Sequence, residues 1–256
     1  MIHPQAIIDP SARIHESVSV GPFTIIGPDV SIGEGTVIGP NNIFKGPTRI
    51  GKNNRFFQFC TVGEDTPDLK YKGEPTELII GDNNTFREYS SVHRGTVQDA
   101  GKTVIGNNNL IMCYAHVGHD CFVGNHCIMS NSSGLAGHVH MGDWAIISGF
   151  SAVHQYCHIG PHAFVAGYSA VFQDVPAFVT VQGAPAVPRI VNTEGLKRRG
   201  FTPEDIKAIQ TAFKTLYKKK LSLADAVVEL KKQAEASSHV KVLYESVANA
   251  KRNIVR

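Results

Sequence analysis

An apolar residue recurs at every sixth position along most of the first 171 residues. The series begins Ile2, Ile8, Ile14, Val20, Ile26, Ile32, Ile38, Phe44, Ile50, Phe56, Val62. It breaks, resumes at Ile80, Phe86 and Val92, breaks again, and then runs in step from Ile105 through Val117, Leu135 and Val153 to Val171. All twenty-six hexads have an apolar leader, which at 42% apolar composition has a chance probability on the order of 10⁻¹⁰. Glycine follows the leader in 12 of them. The fifth position is small or β-branched, as in Ala115, Cys121, Cys127, Ser133, Val139 and Ala145. A helix of 3.6 residues per turn cannot keep this beat, but short strands separated by turns can. Three hexads per triangular coil, stacked at the strand spacing of about 4.8 Å, predict a prism of nearly nine coils and roughly 40 Å.

The interruptions predict loops expelled from the prism, near residues 63–77 and 94–103. Long insertions in a regular solenoid are often functional. After Val171 a proline-rich stretch (Pro176, Pro185, Pro188) reads as a linker capping the last coil. From Thr193 the pattern turns helical. Thr202-Pro203-Glu204-Asp205 supplies a cap, a proline in the first turn and acidic residues behind it. Ser222 with Asp225 opens a second helix, and a third is expected from Ser238 to Ile254. The expected division is therefore an all-β domain over 1–190 and a helical domain over 191–256.

Composition changes this picture little, but charge does. The net charge of +3 conceals an asymmetry: residues 193–256 carry 14 Lys/Arg against 7 Asp/Glu, and the rest of the chain is net negative. A basic helical tail suits an acidic partner or a phosphorylated ligand, and equally a solvated helical face. Five cysteines without a Cys-x-x-Cys pair point to a reducing, cytoplasmic compartment. No secretory signal and no membrane span are expected.

Under triangular winding, residues 18 apart stack on neighbouring coils. His119 then lies beneath Gly137, and Gly137 beneath Gln155. Asp120 lies under His138, with Tyr156 above, and His116 lies beneath Gly134. A histidine beside a carboxylate, with an open backbone N–H nearby, is a kit for acyl transfer. The imidazole takes the proton of an attacking hydroxyl, the carboxylate fixes its tautomer, and the Gly137 amide faces the developing oxyanion. His3, His15, His126, His140, His158 and His162 read as exposed turn residues. Cys60, Cys121, Cys127 and Cys157 read as core, and Cys113 has no evident role. Two other readings stand beside this one. His116, His119 and His138 could bind zinc as in a trimeric hydratase resembling γ-type carbonic anhydrases, although those pair histidines five apart on one strand. The prism could also be a non-catalytic scaffold.

Segment by segment, the chain resembles a known family. Asp68-Leu69-Lys70-Tyr71, Gly73-Glu74-Pro75-Thr76, Val92-His93-Arg94-Gly95-Thr96, Ala115-His116-Val117-Gly118-His119-Asp120-Cys121, Leu135-Ala136-Gly137-His138-Val139, His154-Gln155 and Glu194-Gly195-Leu196-Lys197-Arg198-Arg199-Gly200-Phe201 are similar to segments of the bacterial UDP-N-acetylglucosamine O-acyltransferases. The resemblance implies a left-handed parallel β-helix, a homotrimer with sites between neighbouring prisms, and the first step of lipid A synthesis. It implies His119 as general base oriented by Asp120, with Gly137 as oxyanion donor. Asp68 and Lys70 would contact sugar and ligand, with His116, His138, His154 and Gln155 around the reacting groups. Asn192, Glu194, Arg198 and Arg199 would hold the nucleotide end. The implied partners are a 3-hydroxyacyl group on the acidic acyl carrier protein and UDP-N-acetylglucosamine, with no cofactor, metal or nucleic acid. Gly167 would leave the acyl groove open to a chain of about 14 carbons, each buried methylene being worth about 0.8 kcal/mol.

Overall fold

The computed structural model describes residues 1–256. Twenty-six of its twenty-seven strands build three parallel sheets in which consecutive strands of one sheet are third neighbours in sequence, except that Val179–Gln182 pairs with Phe164–Val165, two strands before it. Each hexad is one short strand followed by a turn, and three close a triangular coil. Register partners are 18 residues apart wherever neither an insertion nor a deletion intervenes, as in His116 with Gly134 and Gly134 with Ala152. The leaders point inward and form one continuous core, in which Phe44, Phe56, Phe86, Met129, Leu135 and Met141 are fully buried. Fifth-position side chains such as Ala115, Cys127 and Ala145 fill the corners.

The turns follow one backbone rule. The fourth residue of the hexad is left-handed in most coils, at Asn41, Asn53, Asn83 and Asn108 among others. Asparagine, aspartate and histidine tolerate this region better than bulky or branched residues. Asp120 (φ 56°) and His138 (φ 63°) occupy this position one above the other.

The structure differs from expectation at the end of the prism. The repeat does not stop at Val171: it skips two residues and continues through Val175, which bridges to Ile159, and Val181, which pairs with Val165. The proline-rich stretch is thus not a linker. Val179–Gln182 extends a sheet and Val187–Val191 turns back along it as the one antiparallel pairing. Pro188 sits on this last, outer strand, where a missing N–H is tolerated.

Four helices follow: α1 (Thr193–Arg198), α2 (Pro203–Tyr217), α3 (Leu223–Ala234) and α4 (Ser238–Ala248). Helix α1 begins at Thr193, where the pattern turns helical, as a short separate helix ahead of the three expected. Its six residues carry no periodic stripe, and Asn192 starts it by accepting a hydrogen bond from the Gly195 N–H. Helix α2 begins with the full capping box of Thr202 and Asp205. Helix α4 stops at Ala248 rather than Ile254. The chain there leaves the helix so that Ile254 can bridge to Asp174, whose buried carboxylate also accepts from the N–H groups of Lys251 and His158. No helix is long and apolar enough to cross a membrane.

Candidate active site

Val62, Val92, Val117, Leu135 and Val153 are successive rungs of one sheet. Both expelled loops leave the prism directly after a leader in this column, at the corner where His119 stands one rung higher. The insertions therefore surround one place on the surface.

His119 directs Nδ1 to Asp120 Oδ2 at 2.8 Å. Its side chain keeps 14% of its surface accessible while that of Asp120 is almost fully covered. Asp120 also accepts from the Thr96 N–H (2.8 Å) and the Thr96 hydroxyl (2.6 Å), while its own N–H donates to the Thr103 hydroxyl at 2.8 Å. Burial alone would raise the Asp120 carboxyl. The hydrogen bonds from His119 and Thr96 outweigh it and hold the group below the usual carboxylate range. A buried carboxylate with this many donors stays ionised, which fixes the proton of His119 on Nδ1 and leaves Nε2 with its lone pair outward. Gly137 lies against that nitrogen, and its N–H donates to no protein acceptor.

His138 stands beside this pair. Its ring meets His119 edge-on at 4.9 Å and stacks on Tyr156 at 4.3 Å. Its Nδ1 lies 2.9 Å from Asp99 Oδ2, on the second loop. His116 faces away from Asp120: its Nδ1 is 2.8 Å from the Ser91 hydroxyl and its ring packs on His93. Burial, with the neighbouring His116, pushes His93 down to about 4, and burial lowers His116 as well. The triad needed for a zinc hydratase (His116, His119, His138) is thus not assembled. The donor atoms that converge within 4.8 Å belong to His119, Asp120 and His138.

His154 and Gln155 occupy the same corner one rung higher. His154 packs near Phe172, and the Gln155 carbonyl accepts from Arg252. Asp68 and Lys70 lie on the first loop, where the Asp68 carboxylate accepts from the Lys70 N–H at 2.9 Å. Arg94 ties the two loops together. Its guanidinium donates to the Gly63 carbonyl (2.6 Å), the Tyr71 hydroxyl (2.9 Å) and Asp65.

Within one chain the nucleotide-end residues are not brought to His119. Asn192 donates from Nδ2 to the His162 carbonyl (3.0 Å), which places α1 at another corner of the prism. There Arg199 lies over the Trp144 ring at 5.1 Å and reaches His162 Nδ1 at 3.0 Å, while Arg198 is exposed and Glu194 pairs with Lys197. His162 is therefore no free turn residue: burial and Arg199 drive it down to about 4. Gly167 stands at the third corner, beside the exposed Tyr168. Cys113 donates to Glu88, which Arg87 also holds.

Sequence reasoning missed Thr96, Asp99, Thr103 and Arg94 as members of this site. The signal was present. Rung counting across the insertions puts Arg94 two residues past Val92, under His119, so the segment that follows must leave from beneath the imidazole.

Comparison with known proteins shows what the chain is similar to. Residues 11–46 and 102–137 match the bacterial transferase hexapeptide profile (six repeats), and residues 174–255 match the second domain of UDP N-acetylglucosamine O-acyltransferase. A Pseudomonas putida acyl-[acyl-carrier-protein]–UDP-N-acetylglucosamine O-acyltransferase is 58% identical over 255 residues, covering 100% of this chain and 99% of that protein. The crystal structure of the Francisella novicida UDP-N-acetylglucosamine acyltransferase superposes with a TM-score of 0.98 at 43% identity, covering 100% of this chain and 94% of that one. The Arabidopsis enzyme superposes at 0.85 with 36% identity, each chain covered completely. The prism is accordingly a left-handed parallel β-helix, and the chain belongs to the UDP-N-acetylglucosamine O-acyltransferase family.

Proposed function

We propose that this enzyme transfers an (R)-3-hydroxyacyl group from acyl carrier protein to the glucosamine 3-hydroxyl of UDP-N-acetylglucosamine, the step that opens lipid A synthesis. The observation that carries this reading is the chain from Thr96 through Asp120 to His119, ending at an Nε2 against which Gly137, with its unpaired amide, is packed. His119 Nε2 takes the proton as the sugar oxygen bonds to the thioester carbonyl carbon. The Gly137 N–H stabilises the oxyanion of the tetrahedral intermediate. When the intermediate collapses, the carbon–sulfur bond breaks and the thiolate of the carrier receives the proton from His119. No covalent enzyme intermediate is required.

Asp68 and Lys70, on the loop beside this corner, bind the sugar and the acyl ligand in this reading, with His116, His138, His154 and Gln155 lining the reacting groups. Asn192, Glu194, Arg198 and Arg199 hold the nucleotide end. Because they lie at another corner, the site is completed by a neighbouring protomer, which supports a homotrimer. So does the exposed aromatic column Phe59, Tyr89 and Tyr114, stacked at 5.0 and 4.8 Å, with Ile25 and Ile43 exposed on the adjoining sheet. The catalytic body is residues 1–190. The helical domain, 191–256, carries the positive charge that docks the acidic carrier. Five free thiols suit the cytoplasm, where both substrates are made.

The test is mass spectrometry of the product formed from UDP-N-acetylglucosamine and a panel of 3-hydroxyacyl carriers, with wild type and His119→Ala. The wild type should give the mono-O-acyl ester. The variant should fold and lose about 10²-fold or more of kcat. Near-normal turnover by the variant would remove His119 as base, and no acyl ester from the wild type would remove the reaction.

A further inference from the structure

Asp99 lies on the second loop, outside every segment that carries the family likeness to the reacting groups, and yet it touches one of the two central imidazoles. The turn that bears it is built on Thr96. The Thr96 carbonyl accepts the N–H groups of Gly101 (3.1 Å) and Asp99 (3.4 Å), while the Thr96 amide and hydroxyl hold Asp120. One short turn thus carries the group that orients Asp120 and the carboxylate that reaches His138.

His138 is buried, its side chain 6% accessible, whereas Asp99 is 45% accessible. The exposed Asp99 carboxylate thus reaches a buried imidazole while keeping part of its surface in water. The alternative partner of His138 Nδ1 is Asp120 Oδ2, at 3.9 Å, beyond hydrogen-bond reach and already bonded to His119 and Thr96. Without Asp99, the carboxylate oxygen left nearest the Nδ1 proton of His138 is the one that orients His119. The two imidazoles would then compete for one carboxylate oxygen.

We propose that Asp99 is a positioning residue: by accepting the Nδ1 proton of His138 it locks that imidazole in the Nδ1–H tautomer and keeps it off Asp120. His138 then presents Nε2 as a hydrogen-bond acceptor towards the ligand, and His119 retains Asp120 to itself. The inference rests on the acyltransferase reading for its kinetic consequence, but the tautomer lock itself exists without substrate.

Asp99→Ala and Asp99→Asn separate the roles. In Asp99→Ala, kcat should fall about tenfold, with KM for UDP-N-acetylglucosamine within about twofold of wild type and an unchanged thermal midpoint. Long-range ¹H–¹⁵N spectra of the ligand-free, ¹⁵N-labelled enzyme, with His138 assigned through His138→Gln, should show the Nδ1–H pattern in wild type and its loss in Asp99→Ala. The amide oxygen of asparagine can accept the same proton, so Asp99→Asn should restore most of both signals. Wild-type kcat in Asp99→Ala, or a kcat loss with an unchanged His138 spectrum, would overturn the proposal. So would equal impairment of the two variants, since it would mean that charge rather than the hydrogen bond matters. If wild type transferred no acyl group while the His138 spectrum responded as expected, the function would fail and the lock would stand.

Discussion

A Cβ atom on Gly137 would lie 2.5 Å from both Cε1 and Nε2 of His119. The glycine exists for the closeness of the His119 ring, not for an unusual backbone angle. In Gly137→Ala either the imidazole tilts away from Asp120 or the turn moves outward, and both displace the amide from the reacting centre. Misplacement of this size costs about 10²-fold in rate. We expect kcat to fall by that factor while the thermal midpoint shifts only a few degrees. Steady-state kinetics beside a melting curve check this, and wild-type turnover would show that the amide and His119 do not act together.

Thr96→Val removes the hydroxyl that donates to Asp120 at 2.6 Å and leaves the amide bond in place. The carboxylate oxygen that loses this donor is the one shared with His119. A buried acceptor deprived of one partner costs about 1–3 kcal/mol. The variant should unfold at a lower urea concentration by a corresponding amount, and kcat should drop about five- to tenfold. An unchanged urea midpoint would mean that water replaces the hydroxyl.

Arg94 is the buckle of the first loop, and its side chain is 7% accessible. Arg94→Ala frees Gly63, Tyr71 and Asp65 together, so the segment bearing Asp68 and Lys70 loses its fixed end. The expected result is a rise of about tenfold in KM for the UDP-sugar with a smaller fall in kcat, since His119 and Asp120 are held by other partners. Limited proteolysis should cut the variant within 65–75 before any other segment. Equal resistance of the two proteins would place the loop's anchor elsewhere.

The prism was legible because its signal is redundant: each leader repeats the same statement, and the eighteen-residue step follows from it. That is why Gly137, Gly134 and Tyr156 stand where counting puts them. The missed features are those that break the count. Val175 and Val181 resume the repeat after a deletion of two residues, which a fixed step of six passes over. Asp99 and Thr96 act through a loop whose path no period describes. Arg198 and Arg199 look equivalent in sequence, yet Trp144 and His162 claim Arg199 and leave Arg198 in solvent. Such contacts depend on which corner faces the helical domain, and the hexad says nothing about that.

Three half-buried histidines link stability to pH. His93 and His162 are held near 4, and His116 is lowered as well, each chiefly by burial. Between about 6.5 and 4 the unfolded chain binds protons at His93 and His162 while the folded chain does not, and His116 acts in the same direction. Stability should therefore be complete above about pH 7 and decline as pH falls through that window, by on the order of 1 kcal/mol for each of His93 and His162 after allowance for solvent screening. Urea midpoints from pH 8 to 5 measure this. His93→Gln should flatten the slope, and an identical slope in the variant would assign the pH dependence to other groups.

The family resemblance implies that acyl-chain length is set at Gly167, at a corner that His119 does not share. A Cβ on Gly167 would meet only the Gly149 carbonyl, at 3.4 Å, which is ordinary contact, so a larger side chain fits there without rearranging the coil. In the trimer proposed above, that reading requires this corner of one prism to close the groove that begins at His119 of the next. Gly167→Met should then fill the far end of the groove and leave the reacting end untouched. Each methylene that can no longer be buried is worth about 0.8 kcal/mol, or about fourfold in kcat/KM. A donor of 14 carbons that loses two buried methylenes should fall about fifteenfold, while one of 10 carbons should be unaffected. Competition between carriers of 10, 12 and 14 carbons, scored by product mass, reads the profile directly. An unchanged profile in Gly167→Met would mean that the groove ends elsewhere, and a uniform loss across all lengths would mean that the methionine disturbs the subunit contact rather than the chain.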